Sequence, residues 1–344
     1  MPFEVPLVDI SAYVESGTDE QRAQVAQAID DACRTVGFIQ ITGHGIDPVV
    51  THGLGEAMDA FFALELEEKK AYRVSGNRGY SAPKSESLSL SLGVESATRM
   101  NDFFEAFNVG VAASEHPQLE LSAEDYAENL WPGVPGFQAQ VEAYFVEAGR
   151  VARTLTSIFA DALRLEPGFF DRFTDHSIDV LRMNNYALPP GTVDLDGDLT
   201  GMGEHTDFGI VTVLWADQVR GLQVLGSDGS WNDVMPADGA LLVNLGDLTS
   251  RWTNERWLST LHRVKPPIVD GTIQRRRSAA YFHDGNADAL ISTIESCIAP
   301  GEDNLYAPVT VGEHIAAKLA GSRAGKLNNA APREAARVLA AVSD

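Results

Sequence analysis

The sequence predicts a mixed α/β fold with a mainly β core, a sandwich or barrel of short strands backed by helices. Three observations carry this. From Ile178 onward, runs rich in Val, Ile, Leu and aromatic residues alternate with Gly, Asp and Pro turns, the spacing of an all-β layer. Ahead of them, Val141, Tyr144, Phe145, Val151, Leu155, Ile158, Phe159 and Leu163 recur at helical spacing, which predicts one long helix from Phe137 to Leu165 covering a sheet. Finally, no repeat, low-complexity segment or linker divides the 344 residues, a length that β-barrel enzymes often reach as one unit.

Taken in order, Val5 to Ile10 reads as a short entry strand. Thr18-Asp19-Glu20-Gln21 has capping-box form, and Val25, Ile29, Ala32, Cys33 and Val36 continue it as a helix that Gly37 ends. Phe38 to Ile41 is the next strand. His44 stands in a glycine-flanked turn, Thr42-Gly43-His44-Gly45, and is read as stabilising that turn rather than as a ligand. Asp47-Pro48 opens a second helix, with Pro at its first position and Met58, Phe61 and Phe62 on its buried face. Ser85 to Gly93 alternates Ser and Leu, as either a loop or a strand at a pocket rim, and Gly110 to Gly136 is a loop-rich bridge. After the long helix the expected strands are Ile178–Tyr186, Ile210–Trp215, Gly221–Leu225, Trp231–Val234, Ala240–Leu245, Ser259–Val264 and Ser278–Phe282. The tail from Glu313 to Asp344 reads as an Ala-rich helix that packs on the barrel or meets another subunit.

Composition excludes several classes. Lys and Arg number 26 against 49 Asp and Glu, a net charge of −23, which opposes nucleic acid or an anionic membrane as partner. Two cysteines, Cys33 and Cys297, form neither a disulfide framework nor a zinc-type pattern. The start has no basic segment followed by an apolar run, and no stretch is long enough to span a bilayer. The expectation is a cytoplasmic protein acting on a small molecule.

The chemistry concentrates in Glu204-His205-Thr206-Asp207-Phe208-Gly209, which runs into the strand-like Ile210 to Trp215. Along a strand side chains alternate faces, so His205 and Asp207 are expected to point the same way. An H-x-D alone also fits a surface His beside a solvated Asp. His262, in another predicted strand, supplies a third donor, and two His plus one carboxylate on one face of a metal is the pattern of non-haem Fe(II) oxygenases. About a dozen residues on, Arg276 and Ser278 again share a face. A guanidinium grips a carboxylate through two parallel hydrogen bonds, and a neighbouring hydroxyl takes one oxygen as well. A co-substrate chelating iron at one end and clamped by its carboxylate at the other is implied; 2-oxoglutarate fits.

These segments together resemble the isopenicillin N synthase-like family of Fe(II)- and 2-oxoglutarate-dependent oxygenases. The likeness runs through His205-Thr206-Asp207-Phe208-Gly209, Gly221-Leu222-Gln223-Val224 and Gly239 to Asp247. It continues in Arg251-Trp252-Thr253-Asn254, His262-Arg263-Val264 and Arg276-Arg277-Ser278, in family order, and it reaches the amino-terminal half. The resemblance implies a double-stranded β-helix, a jelly-roll barrel, in a single catalytic domain of 1–344. Within it, 1–135 would be the amino-terminal region, 136–165 the backing helix, 178–285 the jelly-roll core and 286–344 the carboxy-terminal segment and tail.

It also implies roles. His205, Asp207 and His262 would hold Fe(II). Arg276, Ser278 and Tyr186 would bind the distal carboxylate of 2-oxoglutarate, with Asn184 near its chelating end. Asn77 to Tyr80 and Asp102 to Gly110 resemble segments bordering the active site, making Tyr80, Phe104 and Phe107 candidate substrate contacts beside Phe208, Trp215 and Phe282; core packing is the competing reading for each. The family usually has Lys where Phe104 stands and an aromatic residue where Asn185 stands. With O2, such an enzyme converts 2-oxoglutarate to succinate and CO2 while oxidising a C–H bond, hydroxylation being the default. The same motifs serve oxidases of this fold that do not use 2-oxoglutarate, and the Asn184/Tyr186 pair favours the 2-oxoglutarate reading. A zinc hydrolase would need a general base beside the metal, and the adjacent carboxylate, Glu204, is expected on the wrong face. A non-catalytic binding protein would have no reason to keep triad and anchor together.

Overall fold

A computed structural model describes residues 3–73, 77–83, 85–86, 88–92, 102–187, 201–265, 268–269, 272–324 and 333. In chain order the strands are β1 (Leu7–Asp9), β2 (Phe38–Thr42), β3 (Gly79–Ser81), β4 (Glu105–Gly110), β5 (Val180–Tyr186), β6 (Met202–His205), β7 (Val211–Ala216) and β8 (Leu222–Leu225). They continue with β9 (Trp231–Asp233), β10 (Leu241–Leu245), β11 (His262–Val264), β12 (Ile268–Val269), β13 (Thr272–Ile273), β14 (Arg276–His283), β15 (Leu290–Ile291) and β16 (Val309–Thr310). The helices are α1 (Ser11–Val14), α2 (Asp19–Thr35), α3 (Pro48–Phe62), α4 (Leu66–Lys70), α5 (Phe137–Leu163), α6 (Asp247–Trp252) and α7 (Val311–Ala324).

Eight strands form one sheet in the order β1-β2-β10-β7-β14-β5-β4-β3, and four form a second in the order β6-β11-β8-β9. Apart from the parallel β1–β2 pair, these two sheets are antiparallel throughout. Side chains alternate across the large sheet and divide the apolar residues into two layers. Leu181 and Met183 of β5, Phe107 and Val109 of β4 and Val213 of β7 face outward, where α2, α3 and α5 cover them. Phe104, Ala106, Tyr186 and Leu242 face inward and meet Met202, Leu222, Val224 and Val264 of the small sheet. The pair of sheets is the jelly roll, with the helices on one side of it.

Local signals account for the helices. Thr18 and Gln21 exchange hydrogen bonds (Gln21 N to Thr18 Oγ1 3.2 Å, Thr18 N to Gln21 Oε1 2.8 Å) and start α2. Asp47 caps α3 ahead of Pro48. His44 ties its turn together: Nδ1 accepts from Ile46 N at 3.2 Å, and Nε2 lies 3.0 Å from Gly239 O. Two expectations change in detail. The Ser/Leu stretch forms a 3₁₀ turn over Leu88–Leu92, with Ser87 and Gly93 outside the described residues. The tail is helical to Ala324, and of the rest only Arg333 is described. None of the described helices is long and apolar enough to cross a membrane.

Candidate metal and co-substrate site

His205 ends β6 and His262 begins β11, directly opposite one another in the antiparallel ladder. Asp207 does not continue β6, as strand alternation predicted. It lies in the loop before β7, held there by backbone bonds from Asp247 N to Asp207 O at 2.9 Å and from Gly246 N to Ile210 O at 3.1 Å. That turn requires two glycines: a Cβ on Gly246 would overlap Gly209 O, and one on Gly209 would overlap Asp284 Oδ1.

The loop nevertheless brings the carboxylate to the imidazoles. His205 Nε2 and His262 Nε2 are 3.8 and 3.6 Å from Asp207 Oδ1. One ligand atom from each residue lies within 4.8 Å of the others, and all three residues are buried. The tautomers follow from the outer contacts. His205 Nδ1 is 2.8 Å from Gly203 O and His262 Nδ1 is 3.1 Å from Thr260 O. A carbonyl only accepts, so each Nδ1 carries the proton and each Nε2 presents its lone pair inward. Asp207 Oδ2 accepts from Thr212 Oγ1 at 2.5 Å and Asn244 Nδ2 at 2.7 Å, which turns Oδ1 towards the histidines. Burial, reinforced by His262, pulls the His205 pKa down to about 3, so its imidazole is neutral at working pH. Two neutral nitrogens and one carboxylate oxygen are a donor set that fits Fe(II). Glu204 points away from this cluster and bonds Arg263 Nη1 at 2.9 Å.

Across the barrel interior, β14 and β5 set Arg276 opposite Tyr186 and Ser278 opposite Asn184. Arg276 is 2% exposed, with Nη1 3.3 Å from Ser278 Oγ and Cζ 5.4 Å from the Tyr186 ring. Its Nε has no hydrogen-bond partner, and among the described residues no carboxylate pairs with it. A buried guanidinium without an anion is costly, and this one faces the same cavity as the metal cluster. A dicarboxylate that reaches both suits this guanidinium and the metal cluster.

One cavity is lined by His205, Asp207, His262, Arg276, Ser278, Tyr186 and Asn184 and extends past the cluster to Phe208 and Phe282. Tyr80, Phe104 and Phe107 do not line it. Tyr80 and Phe107 pair across β3 and β4 and face the helices, with Phe107 edge-to-face against Phe61, ring centroids 4.6 Å apart, and Tyr80 Oη donating to Glu105 at 2.7 Å. Phe104 does face inward, but packs behind Arg182 (5.1 Å) and Tyr186 (5.6 Å). Trp215 is partly buried in the helix-covered layer. Sequence reasoning missed the far wall: Arg182, paired with Glu86 at 2.8 Å, Asp284, and Ile315, Leu319 and Ser322 of α7. The i, i+4, i+7 spacing of the last three was a usable signal of a helix face.

Comparison with known proteins gives the same region a context. Residues 5–133 match the family model of a non-haem dioxygenase amino-terminal region described from morphine synthesis, and residues 177–285 match the 2OG-Fe(II) oxygenase superfamily. A 2-oxoglutarate-Fe(II) type oxidoreductase of Emericella nidulans is 34% identical over 91% of this chain and 89% of its own. Validamycin A dioxygenase of Streptomyces hygroscopicus subsp. limoneus is 32% identical over 92% of this chain and 86% of its own. Among solved structures, a full-length Neurospora crassa protein crystallised with alpha-KG and thymine superposes with a TM-score of 0.79 at 27% identity, covering 92% of this chain and 96% of that one.

Proposed function

The chain belongs to the 2OG-Fe(II) oxygenase superfamily, and we propose that His205, Asp207 and His262 are its iron ligands while Arg276, Ser278 and Tyr186 anchor the far carboxylate of 2-oxoglutarate. The protein is a non-haem iron, 2-oxoglutarate-dependent dioxygenase acting on a small molecule. The observation that carries the residue assignment is the convergence of two Nε2 atoms on Asp207 Oδ1, with every other polar atom of the three ligands already bonded.

Fe(II), 2-oxoglutarate and O2 together supply oxidation of an unactivated C–H bond, with succinate and CO2 released. The chain's own residues do the positioning. Gly203 and Thr260 carbonyls orient the imidazoles, and Thr212 and Asn244 fix the carboxylate. Arg276 would hold the far carboxylate of the co-substrate from the opposite sheet, and Asn184, whose Oδ1 accepts from Arg182 at 3.2 Å, would bind near the chelating end. The wall of Phe208, Phe282, Ile315 and Leu319 excludes water from the reacting C–H bond, for which we propose hydroxylation. The two buried, unpaired cysteines support a reducing, cytoplasmic setting, and we propose that residues 1–344 act as one catalytic domain.

The test is anaerobic addition of Fe(II) and 2-oxoglutarate, followed by the weak visible charge-transfer band of a chelated 2-oxo acid. The band is expected in the wild type, absent in His205→Ala and weakened in Arg276→Ala. Iron binding without a band in the wild type would overturn the co-substrate assignment.

A further inference from the structure

Asp284 follows β14 and lines the cavity on the side of Phe208 and Phe282. It is 7% exposed. Its backbone N–H bonds Asp179 Oδ1 at 3.1 Å, but among the described residues no side chain donates to its carboxyl. The backbone approaches it closely at Gly209, where a Cβ would overlap Asp284 Oδ1. Of the cations around this end of the cavity, Arg78 bears on Asp284 by its charge but makes no hydrogen bond or ion pair with it among the described residues; the others are committed elsewhere. Arg78 gives Nη1 to Asn77 O at 2.9 Å and Nη2 to Val111 O at 2.8 Å. Arg182 bonds Glu86 and Asn184, Lys318 bonds Asp247 at 2.6 Å, and Arg323 bonds Asn77 at 2.6 Å. Asp179 is already saturated by Tyr281, His283 and Ser177.

We propose that Asp284 is a substrate anchor, and that the small molecule taken by this cavity carries a cationic nitrogen, an ammonium or guanidinium, that pairs with it. The inference rests on the assignment of the cavity to metal, co-substrate and substrate given above. A carboxyl buried in a cavity wall without a donor is costly to the free protein, and the cost is relieved when a ligand brings the missing donor and charge. The surroundings select a cation. Burial, reinforced by the carboxylates of Asp179 and Asp207 and opposed by the Arg78 guanidinium, pushes the Asp284 pKa well up, and a positive group brought against the carboxyl favours its ionised form. The apolar side chains of Phe208 and Phe282 in the adjoining wall suit the methylenes of such a group.

The probes are benzylamine and butylguanidine, each compared with an uncharged counterpart, benzyl alcohol and butylurea, and with benzoate. Binding is read anaerobically as perturbation of the visible band of the protein loaded with Fe(II) and 2-oxoglutarate. The cationic probes are expected to bind at least about tenfold more tightly than their neutral counterparts, the scale of one hydrogen bond to a charged group. In Asp284→Asn, which keeps the shape and the packing on Gly209, that preference is expected to collapse to near unity. Equal binding of cationic and neutral probes by the wild type, preference for benzoate, or no binding of any probe would overturn the proposal without recourse to a variant. So would a preference that survives in Asp284→Asn, which would give the carboxyl a purely structural role. Absence of the band before any probe is added marks failure of the underlying site assignment instead.

Discussion

Lys318 Nζ stands 2.6 Å from Asp247 Oδ2, and neither side chain has any solvent exposure. Asp247 Oδ1 accepts from Ser259 at 2.7 Å, and Oδ2 also accepts from Thr206, the residue between His205 and Asp207, at 3.1 Å. The pair thus ties α7, one wall of the cavity, to the loop that carries Asp207. Breaking such a pair from one side leaves a bare buried charge. Lys318→Met is expected to cost about 3–5 kcal/mol in denaturant unfolding, and Lys318→Met combined with Asp247→Asn to recover most of it. A single variant as stable as wild type would show that the ion pair contributes nothing to holding the helix.

The two bonds that aim Asp207 have a separate effect. With Asn244→Leu or Thr212→Val, Oδ2 loses a donor and the carboxylate is no longer fixed towards the histidines. Metal affinity is expected to fall about 10–100-fold, measured by competition for Fe(II) or Co(II) against a chelator, with little change in melting temperature of the metal-free protein.

Arg276 predicts an opposite division between stability and affinity. No carboxylate among the described residues pairs with it and its Nε is unsatisfied, so Arg276→Met removes a desolvated charge and is expected to leave the metal-free protein at least as stable. The same change removes charge-assisted bonds to the co-substrate, about 1.5–3 kcal/mol. The upward shift in melting temperature that 2-oxoglutarate gives the iron-loaded wild type should therefore shrink or vanish in the variant.

How far the sequence revealed all this depends on the range of the contact. His205 and His262, Arg276 and Ser278, and Tyr186 and Asn184 were legible because each sits in or beside a strand whose period of two is set locally. Asp207 was legible as a residue but not in its geometry, because the loop it occupies is shaped by Asp247 and by the close approach of Gly209 to Gly246, some forty residues on. Tyr80 and Phe107 were misplaced for a related reason: a segment that borders a site presents alternate residues to it, and on β4 the inward ones are Ala106 and Asn108. The partnership of Lys318 with Asp247 leaves no local trace, since a lysine in an Ala-rich helix reads as solvated until its partner is known.

A pH dependence follows from His314, buried in α7 with Nε2 unbonded. Burial, opposed by the Asp247 carboxylate and assisted by the positive charges of Lys318 and Arg251, pulls its pKa down to about 3. The unfolded chain takes up a proton near pH 6.5 and the folded one does not until about pH 3. The stability contributed by keeping this imidazole neutral is therefore complete above pH 6.5 and is lost as the pH falls towards 3, at up to about 1.4 kcal/mol per pH unit. Unfolding of wild type and His314→Gln across this range should give curves whose separation changes with that slope; parallel curves would remove His314 as the cause.

The strand order also has a consequence for the life of the nascent chain. β2 finds its antiparallel partner only in β10, with Ile41 beside Leu241 and Phe38 beside Asn244. At translation speeds of about 5–20 residues per second, on the order of 10 to 40 s separate the emergence of the two. Throughout that interval one edge of an apolar strand, Phe38-Ile39-Gln40-Ile41-Thr42, waits at the ribosome without its neighbour. The half of the protein that is made first contains none of the proposed iron ligands and cannot complete its own sheet, so until residue 245 has emerged this edge stays open to pairing with other chains.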